Sequence, residues 1–137
     1  MRGAGLNRRS LAAACVSAAL TLAPSAGIAM DQVPFELDAV AAAQSEGQPI
    51  ILGIWASWCS TCQVQIQVLK ALKDDPRFAK VIIFHIDYDR QKHVMRLLGA
   101  SVRSQMIAFD GEVELGRLIG ETDPEQIEAF LLNLVED

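Results

Sequence analysis

Two cysteines three positions apart are the residues of this sequence best suited to chemistry. Cys59 and Cys62 follow an apolar run that ends at Ile54, and they precede a segment with helical periodicity. A helix that begins here places Cys59 at its N-terminus, where unpaired backbone N–H groups and the helix dipole stabilise a thiolate. Cys62 lies one turn further on, close enough to form a disulfide with Cys59. The pattern predicts thiol–disulfide exchange, with Cys59 as the nucleophile and Cys62 as the resolving thiol.

The segment around these cysteines resembles the active-site segment of thioredoxins. Residues 51–62 read Ile-Leu-Gly-Ile-Trp-Ala-Ser-Trp-Cys-Ser-Thr-Cys, a buried strand followed by Trp-Cys-x-x-Cys, and a weaker resemblance extends from about Val33 to Leu134. The resemblance implies an α/β thioredoxin fold, with a central mixed sheet of about four strands flanked by helices. It also implies that Trp58 covers the cysteine pair, whereas Trp55 is expected in the core.

The residues beside the cysteines depart from the common thioredoxin pattern. Ser60 and Thr61 stand between the cysteines where typical thioredoxins have Gly-Pro, and Gln63 follows where lysine is common. Strongly oxidising periplasmic members tend to carry a histidine between the cysteines, and this chain does not. The resemblance therefore favours a disulfide reductase over an oxidant.

Two further departures concern residues expected near the second cysteine. Thioredoxins usually bury an acid six positions before the first cysteine, where it helps to remove the proton of the second; here Gly53 occupies that position. The relay is therefore absent or replaced by water or another group, and an aspartate at Gly53 is expected to lower stability but speed resolution. An ungapped alignment places Ser104 where the family has a cis-proline. A non-prolyl cis bond costs about 2.5–4 kcal/mol, which favours a trans bond before Ser104.

The first 29 residues have the features of a secretory signal peptide. They contain three arginines, an apolar run over residues 11–23, and small residues before a cleavage position after Ala29. A membrane anchor is the alternative, but this run of 13 is shorter than the ~20 residues that a span needs. The pair Arg8-Arg9 leaves open whether export uses the general or the twin-arginine route. The prediction is an exported, periplasmic protein.

The remaining residues, 30–137, have the length of one thioredoxin-like domain. The leader contains three of the twelve basic residues and no acidic residue, so this domain has nine basic and 17 acidic side chains, a formal net charge of −8. Such an acidic domain argues against nucleic acid as a partner. Its only two cysteines indicate a redox pair rather than a disulfide framework. No cofactor or metal site is predicted.

The predicted elements follow the thioredoxin order. The first half contains a helix ending near Gly47, a strand over 50–55 and the Cys-x-x-Cys helix to about Lys73. A strand over 81–86 follows, and then a helix over 90–98 whose inward residues are Val94, Leu97 and Leu98. Strands over 105–109 and 113–118 flank an Asp110-Gly111 turn, and a last helix begins at Pro124 with Gln126 as its capping-box partner. His85 is expected to be a hydrogen-bonded core residue, and His93 is expected on a solvated face.

Three functions are compatible with this pattern. The first is an exported thiol–disulfide oxidoreductase that acts on disulfide-bearing protein clients and receives electrons from a membrane thiol-transfer protein, because the periplasm has no soluble thiol buffer. The second is a thioredoxin-like binding domain with an inert Cys59–Cys62 disulfide. The third is a metal-binding module in which the two cysteines form half of a zinc or copper(I) site.

Overall fold

The secondary structure places one sheet between two layers of helices. A computed structural model describes residues 30–136, so the predicted signal peptide lies outside the described residues. The elements are β1 (Asp31–Pro34), α1 (Leu37–Ser45), β2 (Pro49–Trp55), α2 (Ser60–Leu72), a short 3-10 helix (Pro76–Phe78), β3 (Ile82–Asp87), α3 (Lys92–Leu97), β4 (Gln105–Asp110), β5 (Val113–Ile119) and α4 (Pro124–Leu132). No helix within this part of the chain is long and apolar enough to cross a membrane.

The sheet is mixed, as predicted, but it has five strands within the described residues rather than about four. Its order is β1-β3-β2-β4-β5, in which β1, β3 and β2 are parallel and β4 and β5 are antiparallel to their neighbours. The additional strand is β1, which pairs only with β3 at the edge of the sheet. Its four residues are mostly exposed and show no alternation of apolar and polar side chains, so periodicity could not reveal it.

The central strand β2 connects the two halves of the core. Ile51 packs on one face with residues of α2 and α4, such as Leu69 and Ile127, whereas Ile50 and Leu52 pack on the other face beside α1 and α3. These side chains are at most 2% exposed, and burial of each one contributes about 1.5–3 kcal/mol. A strand buried on both faces explains the continuous apolar run in the sequence.

The inward face of α3 differs from the predicted one. Val94 is buried as expected, but Met95 is buried in place of Leu97, which is 81% exposed. Both positions are apolar, and a helix of six residues is too short for periodicity to distinguish them. His93 is exposed, as predicted.

His85 is exposed, so its assignment to the core was wrong. In the sheet it lies between Pro34 of β1 and Gly53 of β2, neither of which carries a large side chain to cover it. Its ring packs edge-on against the indole of Trp55, with centroids 5.3 Å apart.

The N-terminus of α4 has a predicted N-cap residue but not the predicted capping-box partner. Asp123 is the N-cap, and its side chain accepts a hydrogen bond from Glu125 N at 3.0 Å. The backbone N–H of Asp123 donates to Glu121 Oε1 at 2.8 Å rather than to Gln126. The acid that completes the cap therefore lies before the helix and not in its first turn.

Candidate active site

The predicted position of Cys59 at a helix N-terminus is confirmed. Cys59 is the N-cap of α2, with extended backbone angles, and its sulfur accepts a hydrogen bond from the backbone N–H of Cys62 at 3.2 Å. The turn that precedes it is closed by a bond from Cys59 N to Ala56 O. The sulfur thus meets an unpaired N–H of the first helical turn, which stabilises negative charge there.

Both cysteines are free thiols, and they share one hydroxyl group. Cys59 is 4% exposed and Cys62 is fully buried. The Oγ of Ser104 lies 3.2 Å from the sulfur of Cys59 and 3.2 Å from the sulfur of Cys62. The structure thereby brings together three residues that the sequence predicted for the site.

The two thiols differ in acidity. Burial raises the pKa of Cys59, but hydrogen bonds from Cys62 and Ser104 outweigh burial and lower that pKa from 9.0 to about 7. Burial also raises the pKa of Cys62, and its hydrogen bond with Cys59 raises it further. The negative charge of the reduced pair therefore resides on Cys59.

Ser104 adopts a backbone conformation that is unusual for a residue with a side chain. No peptide bond among residues 30–136 is cis, so the bond before Ser104 is trans. Its φ of 55° lies in the left-handed region, which costs a non-glycine residue about 1–2 kcal/mol. The Ser104 carbonyl is held by Gly120 N at 2.8 Å and by Gln65 Nε2 at 3.1 Å. These two bonds fix the segment that presents the hydroxyl to the sulfurs.

Gln65 is a site residue that the sequence prediction missed. It is fully buried on the inward face of α2, where its Oε1 accepts from Trp55 Nε1 at 2.9 Å. Its Nε2 donates to the carbonyls of Ser104 and of Glu121. The amide orientation follows from these partners, because a flipped amide would place oxygen against two carbonyls. Its spacing could have revealed it, since Gln65 follows Cys62 by three positions.

The buried face of α2 does not coincide with the apolar residues that give this segment its helical periodicity. Val64, Val68 and Leu72 recur at helical spacing, but Val64 is 43% exposed and the other two are only half-buried. The buried residues of this helix are Cys62, Gln65 and Leu69.

The position of the missing acid is filled by an aromatic ring. A Cβ atom added to Gly53 would lie 2.1 Å from Cη2 of Trp55, so the indole covers the glycine. Trp55 is 1% exposed, which confirms its predicted place in the core. No space remains for a carboxylate beside Gly53 while Trp55 keeps its bond to Gln65. The expectation that an aspartate here would speed resolution therefore loses its structural basis.

Trp58 lies at the surface beside the cysteines. Its side chain is 58% exposed, and its Nε1 donates to Asp89 Oδ2 at 2.8 Å. The Tyr88 ring packs edge-on against it with centroids 6.2 Å apart, and the guanidinium of Arg103 lies 4.7 Å from the ring centre. The role predicted for Trp58, covering the pair, stays a prediction.

The remaining predicted residues lie in the first turn of α2. Ser60 is exposed and Thr61 is half-buried. Their contribution to the redox properties stays a prediction. Among residues 30–136, no three side chains of the histidine, cysteine, aspartate and glutamate types gather as potential ligands of one metal ion.

Comparisons with known proteins agree with this geometry. The thioredoxin family profile matches residues 35–133. The chain belongs to the thioredoxin family. This thioredoxin-like protein is similar to the thiol:disulfide interchange protein DsbE of Escherichia coli strain K12, with 32% identity over 76 residues, which cover 56% of this chain and 40% of the relative. The match thus spans two fifths of that relative's length.

Other thioredoxin-like proteins match over more of their length. The crystal structure of Trxlp from Edwardsiella tarda EIB202 superposes with a TM-score of 0.71 and 30% identity, covering 73% of this chain and 97% of Trxlp. Thioredoxin of Malassezia sympodialis is 24% identical over 82 residues, which cover 60% of this chain and 77% of that protein. These matches and the five-stranded mixed sheet establish the thioredoxin fold.

Proposed function

We propose that this protein is a thiol–disulfide oxidoreductase that acts through Cys59 and Cys62. The observation that carries the proposal is the asymmetry of the two thiols. Cys59 sits at the N-cap of α2 with a pKa of about 7, whereas burial raises the pKa of its neighbour Cys62. A partly ionised nucleophile with a protonated thiol beside it is the arrangement that two-step disulfide exchange requires.

The reaction follows from these roles. The Cys59 thiolate attacks one sulfur of a client disulfide, the client S–S bond breaks, and the other client sulfur leaves as a thiolate. Cys62 then loses its proton and attacks Cys59, which closes the Cys59–Cys62 disulfide and releases the second client sulfur. The client gains two electrons and the protein loses two. Cys62 is adjacent to Cys59 and fully buried, so it can attack the mixed disulfide within the protein while its own thiol is shielded from reactions with solvent species.

The names of relatives support this activity. The Escherichia coli relative is described as a thiol:disulfide interchange protein, and the Malassezia relative is a thioredoxin. We infer that the net direction is reduction of client disulfides, because Ser60 and Thr61 provide no histidine between the cysteines.

The reduction potential of the pair tests the direction. Equilibration of the protein from residue 30 with glutathione buffers should give a value near that of thioredoxin, about −270 mV, and the protein should reduce insulin disulfides when dithiothreitol supplies electrons. A value near −120 mV would instead identify an oxidant. The double variant Cys59→Ser with Cys62→Ser is the matched control and should be inactive.

The same preparation tests the two other functions. Titration of free thiols before and after reduction should give none and then two per protein, and a metal assay should find less than one equivalent of zinc or copper. A pair that resists reduction would indicate a binding domain with an inert disulfide. Stoichiometric metal held by the reduced pair would indicate a metal-binding module.

We further propose that the protein is exported, that residues 1–29 are removed, and that a membrane thiol-transfer protein keeps the pair reduced. The support is the arginine-containing, apolar leader and the absence of a soluble thiol buffer in the periplasm. Protein recovered from the periplasm should begin near Met30. Periplasmic protein that retains Met1 would contradict cleavage.

A further inference from the structure

The Ser104 hydroxyl is placed symmetrically between the two sulfurs. Its Oγ lies 3.2 Å from Cys59 Sγ and 3.2 Å from Cys62 Sγ, and Ser104 is only 4% exposed. A hydroxyl can donate one hydrogen bond while it accepts another. Once Cys59 Sγ is bonded to a client sulfur, it no longer accepts from the Cys62 thiol, and that thiol can donate to Ser104 Oγ while the hydroxyl donates on the side of Cys59. The hydroxyl therefore connects the two sulfurs, and all three side chains are at most 4% exposed to solvent.

Other contacts hold Ser104 in this position. Its left-handed backbone is fixed by donors from Gly120 and Gln65 to the Ser104 carbonyl, and Gln65 is itself held by Trp55. The Trp55 indole also occupies the space beside Gly53. The packing that excludes a carboxylate from Gly53 thus also holds the segment that carries the Ser104 hydroxyl.

We propose that the Ser104 hydroxyl relays the proton of Cys62 to the departing client sulfur when the mixed disulfide is resolved. The inference rests on the proposed function, because it requires Cys59 to form the mixed disulfide. It assigns a catalytic role to Ser104 beyond its place beside the cysteines.

The step balances without any added reagent. Cys62 sulfur attacks Cys59 sulfur, the bond from Cys59 to the client sulfur breaks, and the client sulfur takes the electron pair. At the same time the Cys62 proton passes to Ser104 Oγ, and the hydroxyl's own proton passes to the client sulfur. The client sulfur is held by an S–S bond of about 2 Å to Cys59 Sγ, which lies 3.2 Å from Ser104 Oγ, so it is within about 5 Å of the hydroxyl and one water molecule completes the transfer. Ser104 is neutral before and after the step.

Two variants at one position separate the hydroxyl from the backbone. Ser104→Ala removes the hydroxyl and keeps the cost of the left-handed conformation, whereas Ser104→Gly removes both. Each reduced protein is mixed with oxidised glutathione, quenched with acid and alkylated, so that mass spectrometry follows formation and decay of the mixed disulfide between pH 6 and 8.

In the unmodified protein the decay rate should change little over this range. Both variants should resolve the mixed disulfide about 100-fold more slowly at pH 6, the lower end of the contribution of positioned proton transfer. Their rates should rise in proportion to hydroxide concentration, because Cys62 must then lose its proton to solvent.

Three other outcomes would contradict the relay, and one of them would also contradict the proposed function. Slow resolution in the alanine variant alone would assign the effect to the backbone and overturn the relay. Unchanged rates and pH profiles in both variants would also overturn it and leave the proposed function intact. Failure of the unmodified protein to form any mixed disulfide would contradict the proposed function, and the relay with it.

Discussion

A Cys62→Ser variant accumulates covalent complexes with disulfide-bearing proteins, whereas a Cys59→Ser variant forms none. Cys59 supplies the attacking thiolate, since its pKa is about 7 and its sulfur accepts the Cys62 N–H at the start of α2. Cys62 supplies the second thiol, and its loss leaves the mixed disulfide without an intramolecular attacker. Non-reducing gels of each reduced variant incubated with insulin should show the trapped species only for Cys62→Ser. Disulfide turnover should be undetectable for both variants.

Serine is a suitable substitution at both positions because it keeps the approximate size of a thiol. The double variant controls for non-covalent association, and addition of dithiothreitol should release every trapped complex. Equal trapping by Cys59→Ser would show that Cys62 also attacks external disulfides. The roles of the two thiols would then have to be exchanged or shared.

A Gly53→Asp variant loses several kcal/mol of unfolding free energy and resolves mixed disulfides no faster. Its Cβ would lie 2.1 Å from the Trp55 ring, so the indole must move and give up its bond to Gln65. Overpacking of this kind costs about 1–3 kcal/mol, and each buried polar group left without a partner costs about 1–3 kcal/mol more. Urea unfolding of the reduced protein measures the change. The decay of the mixed disulfide with glutathione, followed by mass spectrometry, measures the rate of resolution.

Two glycine variants separate these contributions. Gly53→Ala adds only the methyl group that collides with Trp55, so its loss of stability isolates the steric effect. At Gly116 on β5, an added Cβ would meet only Phe130 Cε2 at 3.9 Å, an ordinary contact, so Gly116→Ala should change stability little. A Gly53→Asp protein as stable as Gly116→Ala would contradict the packing described here. Faster resolution in Gly53→Asp would restore the expectation drawn from the sequence.

The sequence was informative wherever a pattern is local. The Trp-Cys-x-x-Cys segment, the apolar run of β2 and the Asp110-Gly111 turn each determine their structure over a few residues. They placed Cys59 at a helix start, and the resemblance to thioredoxins that the cysteine segment carries gave the fold and the proximity of Ser104 to the pair. The strand β1 was missed because edge pairing with β3 stabilises it, and no apolar alternation records that pairing.

The supporting contacts of the site depend on residues far apart in the chain. Trp55, Gln65 and Ser104 come from a strand, a helix and a loop, and each residue type alone has a more common role elsewhere. The sequence shows that Gly53 lacks a carboxylate, but only the structure shows that Trp55 fills the space. The left-handed backbone of Ser104 was likewise hidden, because serine carries no strong preference for that conformation.

The rate at which each thiol of the reduced protein is alkylated, measured from pH 5 to 10, tests the central claim most directly. Iodoacetamide reacts with thiolates, so peptide mass spectrometry after brief exposure reports the ionisation of each cysteine. Because the Cys59 pKa is lowered to about 7, its rate should rise with pH through 7 and level off above about 8. Cys62 should react only at higher pH and more slowly, since burial raises its pKa. Faster alkylation of Cys62, or a Cys59 rate that is still rising at pH 9, would contradict the assignment of Cys59 as the nucleophile.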